Sequence, residues 1–128
     1  TGYSTRDLDV LMLYTKHVQL TDATETTLFT VPTGFHVIIH YIFIANHAGS
    51  TKTASLHFAE SGGGNRVDIY DDESVGSGNR VTLGNGGGPM FVLHAGEVVK
   101  VQTEASSDME FAVTLDLVDM PPVLVNFV

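Results

Sequence analysis

The residues of this 128-residue chain that could do chemistry are its six histidines and its acidic side chains, because cysteine is absent. His36 and His40 are four residues apart, but along an extended strand that spacing is ~13 Å, too far for one shared metal ion. His57 and His94 lie in other segments and would meet His40 only in a particular strand register. The H-x-H pair typical of cupin metal enzymes does not occur. We therefore predict no metal ion and no cofactor.

The acidic run Asp68–Glu73 (DIYDDE) is the second candidate. It does not fit the D-x-[DN]-x-[DN]-G loop of an EF-hand, so we expect a solvated acidic loop, with a calcium loop of another kind as the alternative. A nucleophilic enzyme would need a cysteine or a G-x-S-x-G elbow, and neither is present. Carboxylates paired for glycoside hydrolysis stay open, because their separation is spatial. No positive feature supports an enzyme, and we predict none.

The acidic charge balance limits the classes of partner that the chain can bind. Fifteen acidic residues stand against six basic ones, and the formal charge is −9 at pH 7. Nucleic-acid affinity comes mainly from lysines and arginines that neutralise phosphates, whereas Lys52, Arg66 and Arg80 are isolated in the sequence. We therefore expect no nucleic-acid partner. We also expect no membrane partner, since anionic lipids attract the same cations and no apolar run reaches the ~20 residues of a membrane helix.

Short β-branched and aromatic runs alternate with turn clusters, and helical periodicity is nearly absent. We predict strands at 10–20, where a short helix is the alternative, and at 26–31, 35–46, 53–59, 66–70, 80–83, 90–93, 98–103 and 110–118. The strand at 53–59 is expected to pair back on its predecessor as a hairpin, and 71–79 to form a loop. This spacing predicts an all-β fold, a two-sheet antiparallel sandwich. The sandwich domain is expected over 10–119, between an N-terminal arm at 1–9 and an extended C-terminal segment at 120–128.

The strand predicted at 35–46 is apolar on both faces. One face would carry Phe35, Val37, Ile39, Tyr41 and Phe43. The other would carry His36, Ile38, His40, Ile42 and Ile44. Either a bulge exchanges the faces or loops cover the second face, or that face is an oligomer interface, because a large exposed apolar face is unusual on a monomer. We take the second set as candidate interface residues.

The C-terminal segment has a distinct pattern. Two consecutive prolines force an extended backbone and end the preceding strand, and an apolar run follows them. The segment is either an edge strand of its own sheet or an arm on a neighbouring subunit, where it would gain main-chain hydrogen bonds and side-chain pockets together. The candidate interface therefore also includes Pro121, Pro122, Val123, Leu124, Val125 and Phe127.

Four segments form a connected pattern: TLFTVPTG at 27–34, IFIAN at 42–46, TASLHF at 53–58 and LHAGEVV at 93–99. This pattern resembles small β-sandwich virion proteins of tailed bacteriophages, over about residues 26–117. The resemblance carries no catalytic residues. It implies a jelly-roll-like architecture, a trimer and a virion role, either capsid decoration (cement) or a neck, tail or baseplate component, in contact with the major capsid protein or other virion proteins. The absence of cysteine is compatible with assembly in the host cytoplasm.

Other functions stay open beside the cement protein. A tail, neck or baseplate adaptor shares the same sequence features. A carbohydrate- or receptor-binding jelly-roll module would lack the tryptophan that usually stacks on sugars, and a jelly-roll enzyme has no supporting constellation. The acidity of the chain favours the outer capsid surface, away from a packaged genome.

Overall fold

A computed structural model describes residues 11–60, 62, 64–84 and 90–119. The arms predicted at 1–9 and 120–128 lie outside the described residues. The strands within these ranges are β1 (Leu11–Leu20), β2 (Thr26–Thr30), β3 (Phe35–Asn46), β4 (Lys52–Ala59), β5 (Arg66–Val75), β6 (Arg80–Leu83), β7 (Phe91–His94), β8 (Val98–Thr103) and β9 (Met109–Asp119). They form two antiparallel sheets, which confirms the predicted all-β sandwich.

The first sheet has the order β1-β9-β3-β6, with β7 also paired to β3, and the second has the order β2-β8-β4-β5. The chain passes between the sheets after β1, β2, β3, β5, β7 and β8, and this exchange gives the jelly-roll arrangement. The predicted hairpin between the third and fourth strands is wrong, because β4 pairs with β5 and β8 in the second sheet. Both edges of β3 are already occupied, by β9 on one side and by β6 and β7 on the other.

The acidic run also differs from its prediction. Asp68–Glu73 is part of β5, which continues to Val75 instead of ending in a loop. The pairing with β4 shifts register twice along this strand. Asp72 has a φ of 50°, and its backbone N–H donates to Ser55 Oγ at 2.7 Å. Acidic side chains on an edge strand discourage pairing with another chain. They also interrupt the apolar alternation by which a strand is recognised in the sequence.

A bulge in β3 explains why that strand is apolar on both faces. The register against β9 shifts between Ile39 and Tyr41, so His40 has no partner residue in that pairing. Before the bulge the odd-numbered side chains, such as Ile39, face the core, and after it the even-numbered ones do. Ile42 and Ile44 consequently have 0% exposure. The prediction that Ile42 and Ile44 belong to an interface is corrected here, because they are core residues of this chain.

The core lies between the two sheets and is built from side chains at alternate positions. In β9, Phe111, Val113 and Leu115 face inward, as the sequence alternation predicts. The opposite sheet contributes Leu56 of β4 and Val101 of β8, both almost fully buried. Each such aliphatic or aromatic side chain contributes roughly 1.5–3 kcal/mol through removal of apolar surface from water.

Two of the turns predicted from the sequence are hydrogen-bonded to each other. The backbone N–H of Phe35 donates to the Pro32 carbonyl at 3.2 Å, and Gly34 has a φ of 87°, which favours glycine. At the second turn, the N–H of Gly96 donates to the Val31 carbonyl, and the N–H of Val31 donates to the Glu97 carbonyl, both at 2.9 Å. The segments TVPTG and HAGE are therefore one local structural unit.

Asn46 joins β3 to the loops at one end of the sandwich. It is 1% exposed, yet all its side-chain polar groups are satisfied. Its Nδ2 donates to the carbonyls of Ser50 (2.9 Å) and Val75 (2.8 Å), and its Oδ1 accepts from the N–H of Ala48 at 2.8 Å. A buried amide with this set of partners fixes both the turn after β3 and the end of β5.

We predict that Asn46→Ala lowers the free energy of unfolding by about 2–4 kcal/mol, because backbone groups that it satisfies would lose their partners. The measurement is urea unfolding followed by circular dichroism. Asn65→Ala is the matched control, since the Asn65 side chain is exposed and its hydrogen bond to Glu60 is long, at 3.4 Å. An equal loss of stability in the two variants would contradict this role of Asn46.

Candidate functional site

The outer face of the first sheet, the side turned away from the core, is the candidate functional site. The strand registers arrange its side chains in rows that cross the sheet. One row runs from Leu13 of β1 through Asp116 of β9 and Ile38 of β3 to Val92 of β7. Leu13 is 69% and Val92 50% exposed, and Ile38 is half-buried. Three of the four side chains in this row are therefore apolar and reach solvent.

The neighbouring rows extend the same surface. Tyr41 pairs with Thr114, and Phe43 lies between Ala112 of β9 and Thr82 of β6. Both aromatic side chains are half-buried, since their rings lie across the sheet instead of in the core. The sequence prediction had placed Tyr41 and Phe43 on the core side of β3. The bulge exchanges the faces, and no sequence signal indicates its position because both faces are apolar.

Histidines are concentrated on this outer face. His36 of β3 lies directly opposite His94 of β7, and His17 of β1 lies opposite Ala112. His40, at the bulge, contacts Asp116 with 2.8 Å between Nε2 and Oδ2. Beyond the end of β3, His47 contacts Glu110 of β9 at 3.0 Å. Two carboxylates of β9, Glu110 and Asp116, thus have histidine partners, which reduces the cost of covering this surface with another protein.

The outer face of the second sheet is more strongly charged. His57 of β4 is 5% exposed and lies 3.6 Å from Glu25, while its strand neighbours are Lys100 and Asp68. Burial lowers the pKa of His57 below its ordinary value of 6.5, and the charges of Arg66 and Lys100 act in the same direction against Glu25 and Asp68. His57 is therefore held in its neutral form by the folded protein.

Grooves open where the edges of the two sheets face each other. The larger, about 460 Å³, lies between β1 and β2, and we call it the β1–β2 groove. It is lined by Tyr14, Lys16, Leu28, Phe29, Thr30, Pro32, Val37, Leu115 and Leu117. A second groove of about 280 Å³ lies beside β7 and the β4–β5 hairpin, where Phe58 and Phe91 pack edge to face. Both are open and mainly apolar, so they suit protein side chains better than a polar substrate.

The described residues do not bring together three or more histidine, aspartate or glutamate side chains that could hold a metal ion. In β5, Asp68 of the acidic run forms an ion pair with Arg66 at 2.9 Å. Among the same residues there is no helix long and apolar enough to cross a bilayer.

The residues predicted as an interface therefore separate into three groups. His36, Ile38 and His40 lie on the outer face of the first sheet, where a partner could contact them. Ile42 and Ile44 are in the core. The residues Pro121, Pro122, Val123, Leu124, Val125 and Phe127 lie outside the described residues. Sequence reasoning missed Leu13 and Val92, which become neighbours of Ile38 only through the strand order.

No protein-family model matches the sequence, and no curated protein matches it. Among solved structures, the fold is similar to a chain of the disulfide-linked pili that are Bacillus endospore appendages, with 14% identity, a TM-score of 0.48, and coverage of 94% of this chain and 100% of that one. It is also similar to the Eiger TNF of S. frugiperda (12% identity, TM-score 0.43, 94% and 99% coverage). A third is a chain of the T13 infectious bursal disease virus particle (12% identity, TM-score 0.38, 89% and 41% coverage).

The lowered pKa of His57 predicts a pH dependence of stability. Below pH 6.5 the unfolded chain binds a proton at this position that the folded chain does not, so the free energy of unfolding falls as the pH drops from 7 toward the folded-state pKa. Below that pKa the contribution of His57 becomes constant. His57→Gln should remove this part of the decline, measured by urea unfolding between pH 7.5 and 4.5. His17→Gln, at an exposed position, is the control, and unchanged pH dependence in His57→Gln would refute the assignment.

Proposed function

We propose that this chain is a structural protein of a virus particle, and specifically a decoration (cement) protein that binds the assembled capsid and stabilises it. The observation that carries the proposal is the outer face of the first sheet. Leu13, Ile38 and Val92 lie in one row across it, with Asp116, which contacts His40, between Leu13 and Ile38. Interface cores are depleted in charge and rich in aromatic side chains, and this face adds Tyr41 and Phe43.

The positions of lysine and arginine side chains also support the outer face of the first sheet as a protein interface. Lys16 of β1 borders the β1–β2 groove, on the other side of the sheet. Arg80 of β6 lies in the last row of the outer face, opposite Ala45. Within the described strands the central rows of this face contain no lysine or arginine, whose desolvation would oppose burial against a partner.

The sequence resemblance to phage virion proteins is a second support. Its strand-turn TLFTVPTG and its later turn LHAGEVV are distant in sequence, yet they are joined by the hydrogen bonds between Val31 and residues Gly96 and Glu97. Segments that carry the resemblance thus form one unit of the fold. Capsid decoration, as opposed to a part of the tail or neck, is the function that this resemblance favours.

A decoration protein stabilises a capsid because it binds the assembled lattice and not the free subunits, so that mass action favours the lattice. An oligomer with several copies of the outer face would bind more tightly than one copy, because each further contact is intramolecular. We therefore propose a homo-oligomer, a trimer, with the major capsid protein as partner. The net charge of −9 favours the outside of the capsid, away from the packaged genome.

We predict that Ile38→Asp and Val92→Asp leave the domain folded but reduce binding to the particle at least tenfold, because each replaces an apolar side chain of the outer face with a charge. Cosedimentation with particles lacking the protein measures the binding, and circular dichroism verifies the fold. Thr27→Asp is the control, because it adds the same charge at an exposed position of the second sheet. Wild-type binding by both outer-face variants would refute this interface.

Copy number separates decoration from the tail or neck alternative. Quantitative gel analysis of purified particles should give this chain in numbers comparable to the major capsid protein. About a dozen copies or fewer would exclude decoration and favour an adaptor. Complete absence from particles would overturn the virion role itself.

A further inference from the structure

The edge strand β1 is open to strand addition. β9 pairs with one side of β1, and in the order of the first sheet no described strand lies on its other side. β1 is ten residues long and carries a single charged residue, Lys16. Edge strands of natural proteins are usually protected by charge, by bulges or by being short. β5, at the edge of the second sheet, has such protection in its acidic residues and register shifts, whereas β1 has a single lysine, Lys16, and no register shift against β9.

The β1–β2 groove lies directly beside this edge. Tyr14 and Lys16 of β1 border it, with Leu28 and Phe29 of β2 across from them and Leu117 of β9 below. A strand that paired with β1 would turn every second side chain toward this groove. The edge and the groove therefore form one receptor, with main-chain hydrogen bonds for affinity and an apolar space of about 460 Å³ for alternate side chains.

Residues 123–128 (VLVNFV) have the composition and length that this receptor needs. In an extended conformation Val123, Val125 and Phe127 share one face, so an uninterrupted set of apolar side chains would enter the groove. Six residues span ~20 Å, about two thirds of the length of β1. The segment has no charged side chain whose desolvation would oppose insertion.

We infer that residues 123–128 of one copy add as a strand to β1 of a second copy and fill its β1–β2 groove. Leu115 and Leu117, which line the groove, precede the segment by only a few residues on β9. To pair with the free edge of β1 in its own chain, the segment would have to pass the start of β1 and reverse almost at once, because β9 lies on the other side of that strand. Met120 and Pro121 each precede a proline, which favours extended backbone at both residues and opposes a tight reversal. The second copy is therefore the occupant.

Each copy then donates one strand and accepts one. Such a contact is heterologous, and it closes into a ring when the rotation between copies divides a full turn. This strand addition is the contact that holds the proposed homo-oligomer together, and it rests on the proposed function only in assuming that homo-oligomer. This contact can be tested with the purified chain, without any virus particle. Absence of the contact is therefore distinguishable from failure of the proposed virion role.

The absence of cysteine makes a cross-linking test clean. Lys16→Cys, at the groove, and Phe127→Cys, in the segment, are purified as full-length chains, mixed and oxidised with copper phenanthroline. We expect a disulfide between position 16 of one chain and position 127 of another, identified by mass spectrometry of the linked peptides. Asp72→Cys, exposed on β5, replaces Lys16→Cys in the control mixture and should give at least tenfold less linked product.

The double variant Lys16→Cys/Phe127→Cys distinguishes a segment donated by another copy from a segment that folds back onto its own chain. Disulfide-linked multimers support donation between copies, whereas a fully internal disulfide in a monomer overturns it. No linkage above the Asp72→Cys control also overturns the inference. Light scattering gives an independent readout: Phe127→Asp should dissociate the oligomer, and Asn126→Asp, whose side chain would face away from the groove, should retain it. Equal behaviour of these two variants would contradict the alternation on which the inference rests.

Discussion

The pairing of β3 along both of its edges is the constraint on which the rest of the sandwich depends. β9 occupies one edge for the whole length of β3, and β6 and β7 divide the other between them. The bulge at His40 lies at the point where the second edge changes from β7 to β6. It keeps Ile39 and Ile42 in the core although they are an odd number of residues apart. Without it, half of the strand would turn isoleucines outward and a tyrosine and a phenylalanine inward, and one continuous core could not form.

The same constraint determines where the molecule can contact others. Because β3 is central, the ends of the first sheet fall on β1 at one side and on β6 and β7 at the other. The facing ends of the second sheet are β2 and β5, so the sandwich opens at two opposite places. The side beside β5 carries the acidic residues of that strand, while the side beside β1 is apolar, with Leu28 and Phe29 at its floor. The bulge also places Tyr41 and Phe43 on the outer face.

The parts of the fold that local chemistry determines are predictable from the sequence. The bounds of β3 and the inward alternation of β9 match the prediction, because turn residues and period-two patterns act over a few residues. The pairing of β4 and the length of β5 could not be predicted in this way, since both depend on which strand edges are already occupied. For the candidate site, alternation groups His36, Ile38 and His40 on one face of β3, which the structure turns outward, while their role as an interface stays a prediction. Val92 and Leu13 could not be added to them, because their position beside Ile38 follows from strand order and not from spacing.

The outer face and the β1 edge differ in the kind of specificity that they can provide. A flat surface of half-buried side chains such as Tyr41 and Phe43 contributes affinity through burial of apolar area, but it constrains the orientation of a partner only weakly. A strand added at β1 has its direction and register determined by main-chain hydrogen bonds and by the alternation of its side chains. An assembly that uses both surfaces can therefore define the geometry between its copies through the edge and still have the face free for a different protein. This division follows from the strand order, which among the described strands leaves the long strand β1 paired on one side only, beside the broad outer face of the same sheet.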